Sequence, residues 1–499
     1  MSSRVVIVGA GFGGIAAAIE LRRQGIEDIT ILERAGGLGG TWRHNTYPGA
    51  ACDVPSHLYS YSFAQRRDWT RLCSPQPEIL AYAEAVAREH GVDRLVVGDT
   101  EVTACRWDDA TATWTVETDR GTTHVADAIV LATGQLHRPA TPAIPGAESF
   151  AGRTMHSAEW DPRIDLRDQR VAVIGTGASA VQLVPEIAPL VRSLTVFQRS
   201  GNWFLPRRNR PYPRVWRAAV AHVPGLQRWR RTFVTHYGEA LTAMIRHPRT
   251  LGRIGALRSA LFMRAQLRDP ELRRKAWPDY AFGCKRVLFS SAFLPALGRP
   301  NVELTTDPIA AIGPAGPVTA SGRSIEVDTI IYATGFKTTA FVAPMEVTGA
   351  GGRTLREAWK DGASAHLGIT VPGFPSMFLM YGPNTNTSGG SILVYLEAQA
   401  AYLAQALALV RARGGAAVDV RPEVAAASDR AVQGRFQGTA WTACDSWYRD
   451  GEGRIVANWP GYMREYVRET AVLDPAAFTV VPAPAPADDA AQPADSVST

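Results

Sequence analysis

The opening stretch "RVVIVGAGFGGIAAAIELRRQG", residues 4–25, decides the fold. It begins with a short β-branched run, which predicts a buried strand, and it ends in a sequence typical of a helix. Gly9, Gly11 and Gly14 lie between the two in G-x-G-x-x-G spacing. These glycines permit a tight turn, a close approach of the backbone to a pyrophosphate and close helix packing. The stretch therefore predicts a strand-turn-helix that binds a dinucleotide.

A carboxylate follows where the ribose of such a ligand is bound. Glu33 ends the next strand pattern, "DITILE", 19 residues after Gly14. An acidic side chain at this position accepts hydrogen bonds from ribose hydroxyls, and the helix N-terminus attracts the phosphates. We expect a first dinucleotide site here rather than a glycine turn without a ligand.

A second copy of the pattern, "RVAVIGTGASAVQLVPEI", occupies residues 170–187. Gly175, Gly177 and Ala180 take the glycine positions, and the next strand pattern, "SLTVFQRS", contains Arg199 where the first copy has an acid. An arginine can bind a 2′-phosphate, which a carboxylate would repel. The second site therefore favours NADPH over NADH, unless Arg199 is only a surface residue at a strand end. An acidic site paired with a basic one matches FAD plus NADPH.

The expected fold is α/β, with two Rossmann-like dinucleotide-binding domains and a helical cap insertion. The apolar runs "ADAIVLATG" and "VDTIIYATG" indicate that the chain leaves the FAD domain, forms the NADPH domain and returns. The last residues are rich in Pro, Ala and Asp, which is typical of disorder. The predicted boundaries are 1–150 for the first part of the FAD domain, 151–206 and 281–335 for the NADPH domain, 207–280 for the cap, 336–479 for the rest of the FAD domain and 480–499 for a disordered tail.

Composition narrows the class of protein. The 499 residues are 46% apolar and 20% charged with a net charge of +6, as in a soluble enzyme. The clusters "RNRPYPRVWR" and "RWRR" are interpreted as solvated surface, because no nucleic-acid recognition motif accompanies them. A role at a membrane surface for residues 207–275 stays open beside the helical cap. No apolar run reaches 18 residues, so no spanning helix is expected.

The five cysteines, which are Cys52, Cys73, Cys105, Cys284 and Cys444, form no CxxC pair. Their odd number and scattered positions argue against a disulfide framework and a structural zinc. We expect Cys52, Cys284 and Cys444 to be buried apolar residues, and the histidines lack metal-ligand spacing, so no metal is predicted. The chain also begins directly on a strand without a secretory signal, and a reducing cytoplasm fits best.

The segment "FAGRTMHSAEWDP", residues 150–162, lies between the two glycine-rich copies. It resembles the fingerprint F-x-G-x-x-x-H-x-x-x-W-[PD] of class B flavoprotein monooxygenases, and within them of Baeyer–Villiger monooxygenases. Heteroatom monooxygenases carry a related fingerprint, but usually with a different residue where Trp160 stands. The resemblance covers roughly residues 4–465, and its fingerprint residues are Phe150, Gly152, His156, Trp160 and Asp161. We expect this segment to be a hinge that transmits domain rotation rather than a catalytic loop.

Other segments resemble the same family and imply cofactor contacts. They include "GGLGGTWRHNTYPGAACDVPSHLYSYSF", "FGCKRVLFSSAFLPAL", "YGPNTNTSGGSILVYLEAQ" and "CDSWYRDGEGR". The family usually has an aromatic residue where Arg43 stands. For FAD, the residues implied with Gly9, Gly11, Gly14 and Glu33 are Phe12, Arg34, Gly40, Thr41, Trp42, His44, Cys52, Asp53, Tyr59, Val102, Thr133, Gly134, Asn384 and Ile392. For NADPH they are Thr176, Gly177, Ala178, Ser179, Ala180, Gln182, Arg199, Ser200, Lys285, Arg286 and Trp447.

The resemblance implies that NADPH reduces FAD, that O₂ forms a C4a-peroxyflavin, and that this attacks a ketone to give an ester or lactone. Arg286 supplies a fixed positive charge for the peroxide anion, and Asp53 holds Arg286 in place. From its type alone, Arg286 is better interpreted as a surface arginine, and only its Cys-Lys-Arg context favours an active-site role. A turn residue at Asp53 and a core aromatic at Trp447 stay open as alternatives. The expected partners are a ketone and O₂, with the protein a monomer or homodimer.

Two alternatives share the cofactors. One is a heteroatom monooxygenase that makes N-hydroxyls or sulfoxides through hydroperoxyflavin. The other is a pyridine-nucleotide:disulfide reductase, which needs a redox-active cysteine pair; the scattered cysteines argue against it.

Overall fold

The strand-turn-helix that opens the chain recurs at residue 170, and each copy begins a separate parallel sheet. The fold is taken from a computed structural model, which describes residues 3–207 and 209–484. The strands β1 to β20 are Val5–Val8, Ile29–Leu32, Val96–Val97, Val102–Asp108, Thr113–Thr118, Thr123–Ala126, Ala128–Leu131, Arg153–His156, Arg170–Ile174, Ser193–Phe197, Phe204–Leu205, Leu288–Phe289, Val302–Thr305, Ile309–Gly313, Gly316–Thr319, Thr329–Tyr332, Glu346–Thr348, Met377–Leu379, Gly415–Val420 and Phe478–Pro482. The helices α1 to α13 are Phe12–Arg23, Thr41–His44, Gln76–Glu89, Ala178–Ile187, Arg214–His222, Leu226–Arg246, Leu251–Gln266, Pro270–Ala276, Phe293–Leu297, Leu355–Ala358, Ile392–Arg413, Pro422–Gly434 and Met463–Glu469.

The first sheet has the strand order β18-β7-β1-β2-β3 and is parallel throughout. All four residues of β1 are buried, as expected for a strand covered on both faces. Helices α1 and α11 pack on this sheet, and the apolar face between them forms one core. Because β18 comes from residues 377–379, the chain returns to the first sheet after completing the second.

The second sheet has the order β13-β10-β9-β16-β8 and is also parallel. Its edge strand, β8, is residues 153–156 of the fingerprint segment, paired with β16 in the register Arg153↔Thr329 to His156↔Tyr332. The fingerprint segment thus contains a strand, which its irregular sequence pattern did not indicate. The fold class is confirmed as α/β with two dinucleotide-binding sheets.

A helical insertion, α5 to α8, leaves and rejoins the chain at a short parallel pair. Strand β11 precedes the insertion and β12 follows it, with Phe204 opposite Leu288. Arg286 lies two residues before β12, so the β11–β12 pair at the base of the helical insertion fixes the position of the segment that carries Arg286.

One expectation from the sequence fails at the C-terminal part of the chain. Strand β20 runs to Pro482 and pairs with β19, so the predicted tail cannot begin at residue 480. The expected tail residues 485–499 lie outside the described residues. Helix α11, Ile392–Arg413, is long and apolar enough to span a membrane by length and composition alone, but 56% of its most apolar window is buried inside the protein. Its packing against α1 is that of a core helix.

Candidate active site

The first glycine turn is shaped for a pyrophosphate. Gly9 has φ +103°, and a Cβ there would lie 2.6 Å from the carbonyl oxygen of Ala132. A Cβ on Gly14 would overlap the carbonyl oxygen of Gly9. Helix α1 has no side-chain cap at Gly11, so its first N–H groups are available to an anion. Gly9 and Gly14 are therefore required for the turn, and the helix N-terminus is left free.

Glu33 is held beside this helix N-terminus. The buried carboxylate accepts hydrogen bonds from the N–H of Ala10 at 2.7 Å and of Ala35 at 2.8 Å. Each oxygen retains a further lone pair, which suits ribose hydroxyls. The turn, the helix end and the carboxylate together fit the adenosine half of FAD.

The second glycine turn repeats this construction. Gly175 has φ +109°, and a Cβ there would lie 2.5 Å from the carbonyl oxygen of Ala333, as at Gly9 and Ala132. Helix α4 has no side-chain cap at Gly177, and a Cβ on Gly177 would meet nothing within 4 Å. The open space over an uncapped helix N-terminus fits a second pyrophosphate.

Three predicted phosphate-binding side chains meet at the end of β10. Lys285 Nζ donates to Ser200 Oγ at 2.8 Å. Burial lowers the pKa of Lys285, and the nearby charge of Arg199 lowers it further. Asp279 and Asp445 act in the opposite direction. Arg199 and Lys285 still repel each other, and an anionic 2′-phosphate would relieve that repulsion.

Arg286 and Asp53 form a bidentate ion pair. Arg286 Nη2 donates to Asp53 Oδ1 at 2.8 Å and to Oδ2 at 2.7 Å, and Nε donates to Oδ2 at 3.2 Å. Burial acts to raise the pKa of Asp53, but the charge and hydrogen bonds of Arg286 outweigh burial and the pKa is lowered. The charge of Asp53 in turn raises the pKa of Arg286. Both groups are therefore ionised, and Arg286 is a fixed cation.

Residues that the sequence did not indicate surround this pair. The guanidinium of Arg207 donates to the carbonyl oxygen of Cys52 at 2.8 Å and lowers the pKa of Asp53. Burial raises the pKa of Tyr448 to about 12, against the lowering effect of Arg286. In the sequence, Tyr448 is indicated only by its position next to the predicted residue Trp447. Arg207 was unremarkable beside an arginine cluster interpreted as surface.

The predicted flavin-covering residues form two groups. Trp42 Nε1 donates to the Tyr59 hydroxyl at 2.9 Å, and Tyr59 packs edge-on against Phe12, with ring centroids 5.7 Å apart. Gln182 on α4 accepts from the Tyr47 hydroxyl at 2.9 Å and donates to the Ala51 carbonyl at 2.9 Å. The second contact joins the covering segment to the second nucleotide-binding unit.

Other predicted residues lie apart from these groups. Asn384 is buried and donates to the carbonyls of Ile455 and Asn458, at 2.8 and 3.0 Å, so its amide holds the C-terminal segment. Val102 begins β4 in the four-stranded sheet β17-β4-β5-β6, and Arg34 is exposed, 3.8 Å from Glu101. Thr133 Oγ1 donates to the Phe341 carbonyl at 3.1 Å. The remaining predicted residues lie at the ends of other elements: Gly40, Thr41 and His44 in or just before α2, Gly134 after β7, Ala178 and Ser179 at the start of α4, and Ile392 at the start of α11.

The expectation that the cysteines form no disulfide is wrong. Cys284 and Cys444 are bonded across 160 residues, while Cys52, Cys73 and Cys105 are free and buried. Spacing could not show this, because the fold brings the two loops together. Within residues 3–207 and 209–484, no group of three or more His, Cys, Asp or Glu is arranged to hold a metal ion.

Two uncapped glycine turns, an acidic and a basic strand end and a half-buried arginine–carboxylate pair define a class of protein: a flavoprotein oxidoreductase with two dinucleotide sites. Residues 6–216 match the pyridine nucleotide-disulphide oxidoreductase family. A Baeyer–Villiger monooxygenase from Streptomyces coelicolor is 44% identical over 97% of this chain and 93% of its own length. One from Pseudomonas aeruginosa is 37% identical over 99% and 95%.

Solved structures agree with these relatives. A steroid monooxygenase bound to NADP is 32% identical with a TM-score of 0.85, over 96% of this chain and 99% of its own. Cyclohexanone monooxygenase from Rhodococcus sp. Phi1, bound to NADP+, is 28% identical with a TM-score of 0.87, over the same shares. The chain belongs to the Baeyer–Villiger monooxygenase family, a group of class B flavoprotein monooxygenases.

Proposed function

We propose that this enzyme uses NADPH and O₂ to convert a ketone into an ester or lactone on bound FAD. The observation that carries the proposal is the bidentate Arg286–Asp53 pair. It joins the flavin-covering segment to the segment that carries Lys285. Bound FAD supplies the oxygen-activating chemistry, with electrons from NADPH.

Arg286 provides a cation that cannot lose its proton at working pH. Such a cation stabilises negative charge on oxygen most strongly where water is excluded. Asp53 fixes the guanidinium plane through two parallel hydrogen bonds and keeps Arg286 from swinging towards the phosphates of NADPH. Arg207 supports Asp53 from the other side, because its charge further favours the carboxylate.

Arg199, Ser200 and Lys285 bind the 2′-phosphate in this proposal. Lys285 Nζ is hydrogen-bonded to Ser200 Oγ, and Arg199 is close enough for its charge to act on Lys285. Asp279 and Asp445 partly oppose the lowering of the Lys285 pKa by burial and Arg199. A protonated lysine is what phosphate binding requires.

The test is oxygen insertion by purified, FAD-loaded protein. NADPH oxidation and O₂ uptake are measured with a panel of ketones, sulfides and amines, and products made under ¹⁸O₂ are analysed by mass. An ester or lactone with one ¹⁸O atom is expected. A protein that takes up no FAD, or oxygenates none of the panel, overturns the proposal; sulfoxides or N-hydroxyls alone would assign heteroatom oxidation instead.

We further propose a cytoplasmic enzyme that acts as a monomer or homodimer on a small ketone. The cysteine argument for a reducing compartment is weakened by the Cys284–Cys444 bond. Cell fractionation and light scattering of the purified holoenzyme test location and oligomeric state separately.

A further inference from the structure

The disulfide joins two segments that carry predicted NADPH-binding residues. Cys284 directly precedes Lys285 and Arg286, and Cys444 lies three residues before Trp447. Cys284 is fully buried. The bond therefore links a fixed point in the core to a segment at the edge of the site.

The segment after Cys444 has no helix or strand up to residue 453 in the described chain. Trp447 is 40% exposed, and its ring lies over Tyr448 with centroids 4.3 Å apart. Thr338 Oγ1 donates to the Trp447 carbonyl at 3.1 Å, and the N–H of Val456 donates to the Tyr448 carbonyl at 3.0 Å. These contacts hold the segment at Trp447 and Tyr448, whereas the disulfide holds it at Cys444.

Charge contacts run across the same junction. Asp445, next to Cys444, raises the pKa of Lys285, while Arg199 lowers it. A displacement of the segment would move Asp445 away from Lys285 and would break the hydrogen bond from Thr338 to the Trp447 carbonyl. The covalent link lowers the entropy cost of keeping all these groups in place when a ligand binds.

We propose that the Cys284–Cys444 disulfide is a positioning clasp that holds the Trp447 segment over bound NADP(H), so that its opening releases the nucleotide and uncouples oxygenation. The clasp rests on the proposed function, because it acts on the same nucleotide site. The bond connects the segment that carries Arg286 to the segment that carries Trp447, so reduction of this one bond would free both segments to move.

The chemistry of the clasp balances with a peroxide as oxidant. The two thiols and one H₂O₂ give the disulfide and two molecules of water: the sulfurs lose two electrons, the O–O bond breaks and the S–S bond forms. Opening takes two electrons from a dithiol, which is itself left as a disulfide.

The other cysteines are poorly placed to compete for oxidation. Burial raises the pKa of Cys73 to about 11 and of Cys105 to about 12, and the pKa of Cys52 is also raised by burial. The thiolate is the reactive form, so a raised pKa slows oxidation of these three cysteines. Cys284 and Cys444 differ from them in being bonded to each other, with their Cα atoms 6.1 Å apart.

The first measurement counts thiols, independently of catalysis. The FAD-loaded holoenzyme is treated with H₂O₂ or with a phosphine reductant, desalted, denatured and alkylated, and its mass is recorded. Three alkylated cysteines are expected after oxidation and five after reduction. Five in both samples would overturn the clasp.

The second measurement is the Kd for NADP⁺ of the same two samples, without ketone. Reduction should raise Kd about tenfold, which is the order expected when a segment must be ordered at binding, and re-oxidation should restore it. Hydrogen exchange of residues 443–453 should rise on reduction. Equal Kd values in the two samples overturn the clasp, whereas no NADP⁺ binding in either overturns the proposed function.

Variants separate positioning from folding. Cys444→Ser should have the Kd of the reduced enzyme, should not respond to reductant, and should release more H₂O₂ per NADPH, while flavin reduction at saturating NADPH stays within about threefold. Cys73→Ser, a buried cysteine outside the bond, is the matched control and should respond as the wild type does. A Cys444→Ser enzyme with wild-type Kd and coupling would refute the clasp.

Discussion

The guanidinium of Arg286 donates to both carboxylate oxygens of Asp53, although the two residues are 233 positions apart in the chain. One comes from the covering segment after the first glycine turn, and the other precedes the strand that closes the helical insertion. The pair is a polar contact between the two nucleotide-binding units, and it contains a permanent cation. Loss of the pair should therefore slow oxygenation more than it weakens the binding of either cofactor.

Asp53→Asn keeps the size of the side chain but removes the charge that orients Arg286. We expect ester formation to slow about 10- to 100-fold, since preorganised charge contributes on this order, while flavin reduction by NADPH changes little. Arg286→Ala should abolish ester formation and still be reduced. Stopped-flow measurement of reduction and oxygenation separates the two steps.

The matched control is Glu117→Gln, which breaks the exposed Arg106–Glu117 pair of β4 and β5. It should leave both steps unchanged. Wild-type ester formation by Arg286→Ala would remove Arg286 from the mechanism.

Arg199→Ala should weaken NADPH binding more than NADH binding. The side chain stands at the end of β10 beside Lys285, and only NADPH carries the 2′-phosphate. We expect KM for NADPH to rise about 10- to 100-fold, as for loss of a charge-assisted contact, with KM for NADH nearly constant. Arg192→Ala, an exposed arginine just before β10, is the control; equal rises for the two nucleotides would refute the 2′-phosphate role.

The stability of the protein should decrease as pH falls, because of one buried imidazole, His57, and one half-buried imidazole, His366. Burial, reinforced by Arg230 and Arg231, lowers the pKa of His57 to about 4, and burial lowers the pKa of His366 to about 4. An unfolded chain takes up these protons near pH 6.5. Between about pH 6.5 and 4 the unfolded state binds more protons, so stability is lost as pH falls through this window and is unaffected above it.

Each imidazole contributes at most about 3 kcal/mol to this loss. Urea unfolding at pH 7.5 and 5 measures it. His366→Gln should reduce the difference between the two pH values, and His236→Gln, at an exposed position of α6, should not. An unchanged pH difference in His366→Gln would contradict the assignment.

The local parts of the fold were readable from the sequence because they depend on short spacings. Gly9 and Gly175 need positive φ and leave no room for a side chain, and that requirement is visible as glycine in a fixed pattern. The contact between Arg286 and Asp53 followed only from the family resemblance, since no spacing relates residues 233 positions apart.

Long-range features were missed for the same reason. The Cys284–Cys444 bond depends on how two loops meet, and a count of cysteines carries no such information. Strand β8 was missed because an edge strand of four residues shows little alternation, with Arg153 and Thr154 exposed and only Met155 and His156 buried. Its parallel partner β16 is 176 residues further along the chain.

His156 connects the second sheet to the return segment, and its loss should disturb coupling rather than a chemical step. The residue ends β8 and is buried, its Nδ1 accepts from the N–H of Ala158 at 3.1 Å, and its ring packs edge-on against Phe336, 5.9 Å between centroids. Phe336 lies just after β16, where the chain turns back to the first sheet. His156→Ala should raise the fraction of NADPH that ends as H₂O₂ several-fold while the rate of flavin reduction stays near that of the wild type, because the turn is loosened but the cofactor contacts remain. His156→Phe keeps the ring contact and should recover most of the coupling. The measurement is the H₂O₂ yield per NADPH of both variants. The control is Asp161→Asn, because among the described contacts the Asp161 carboxylate bonds only to nearby Arg163. Wild-type coupling in His156→Ala would show that β8 is a passive edge strand.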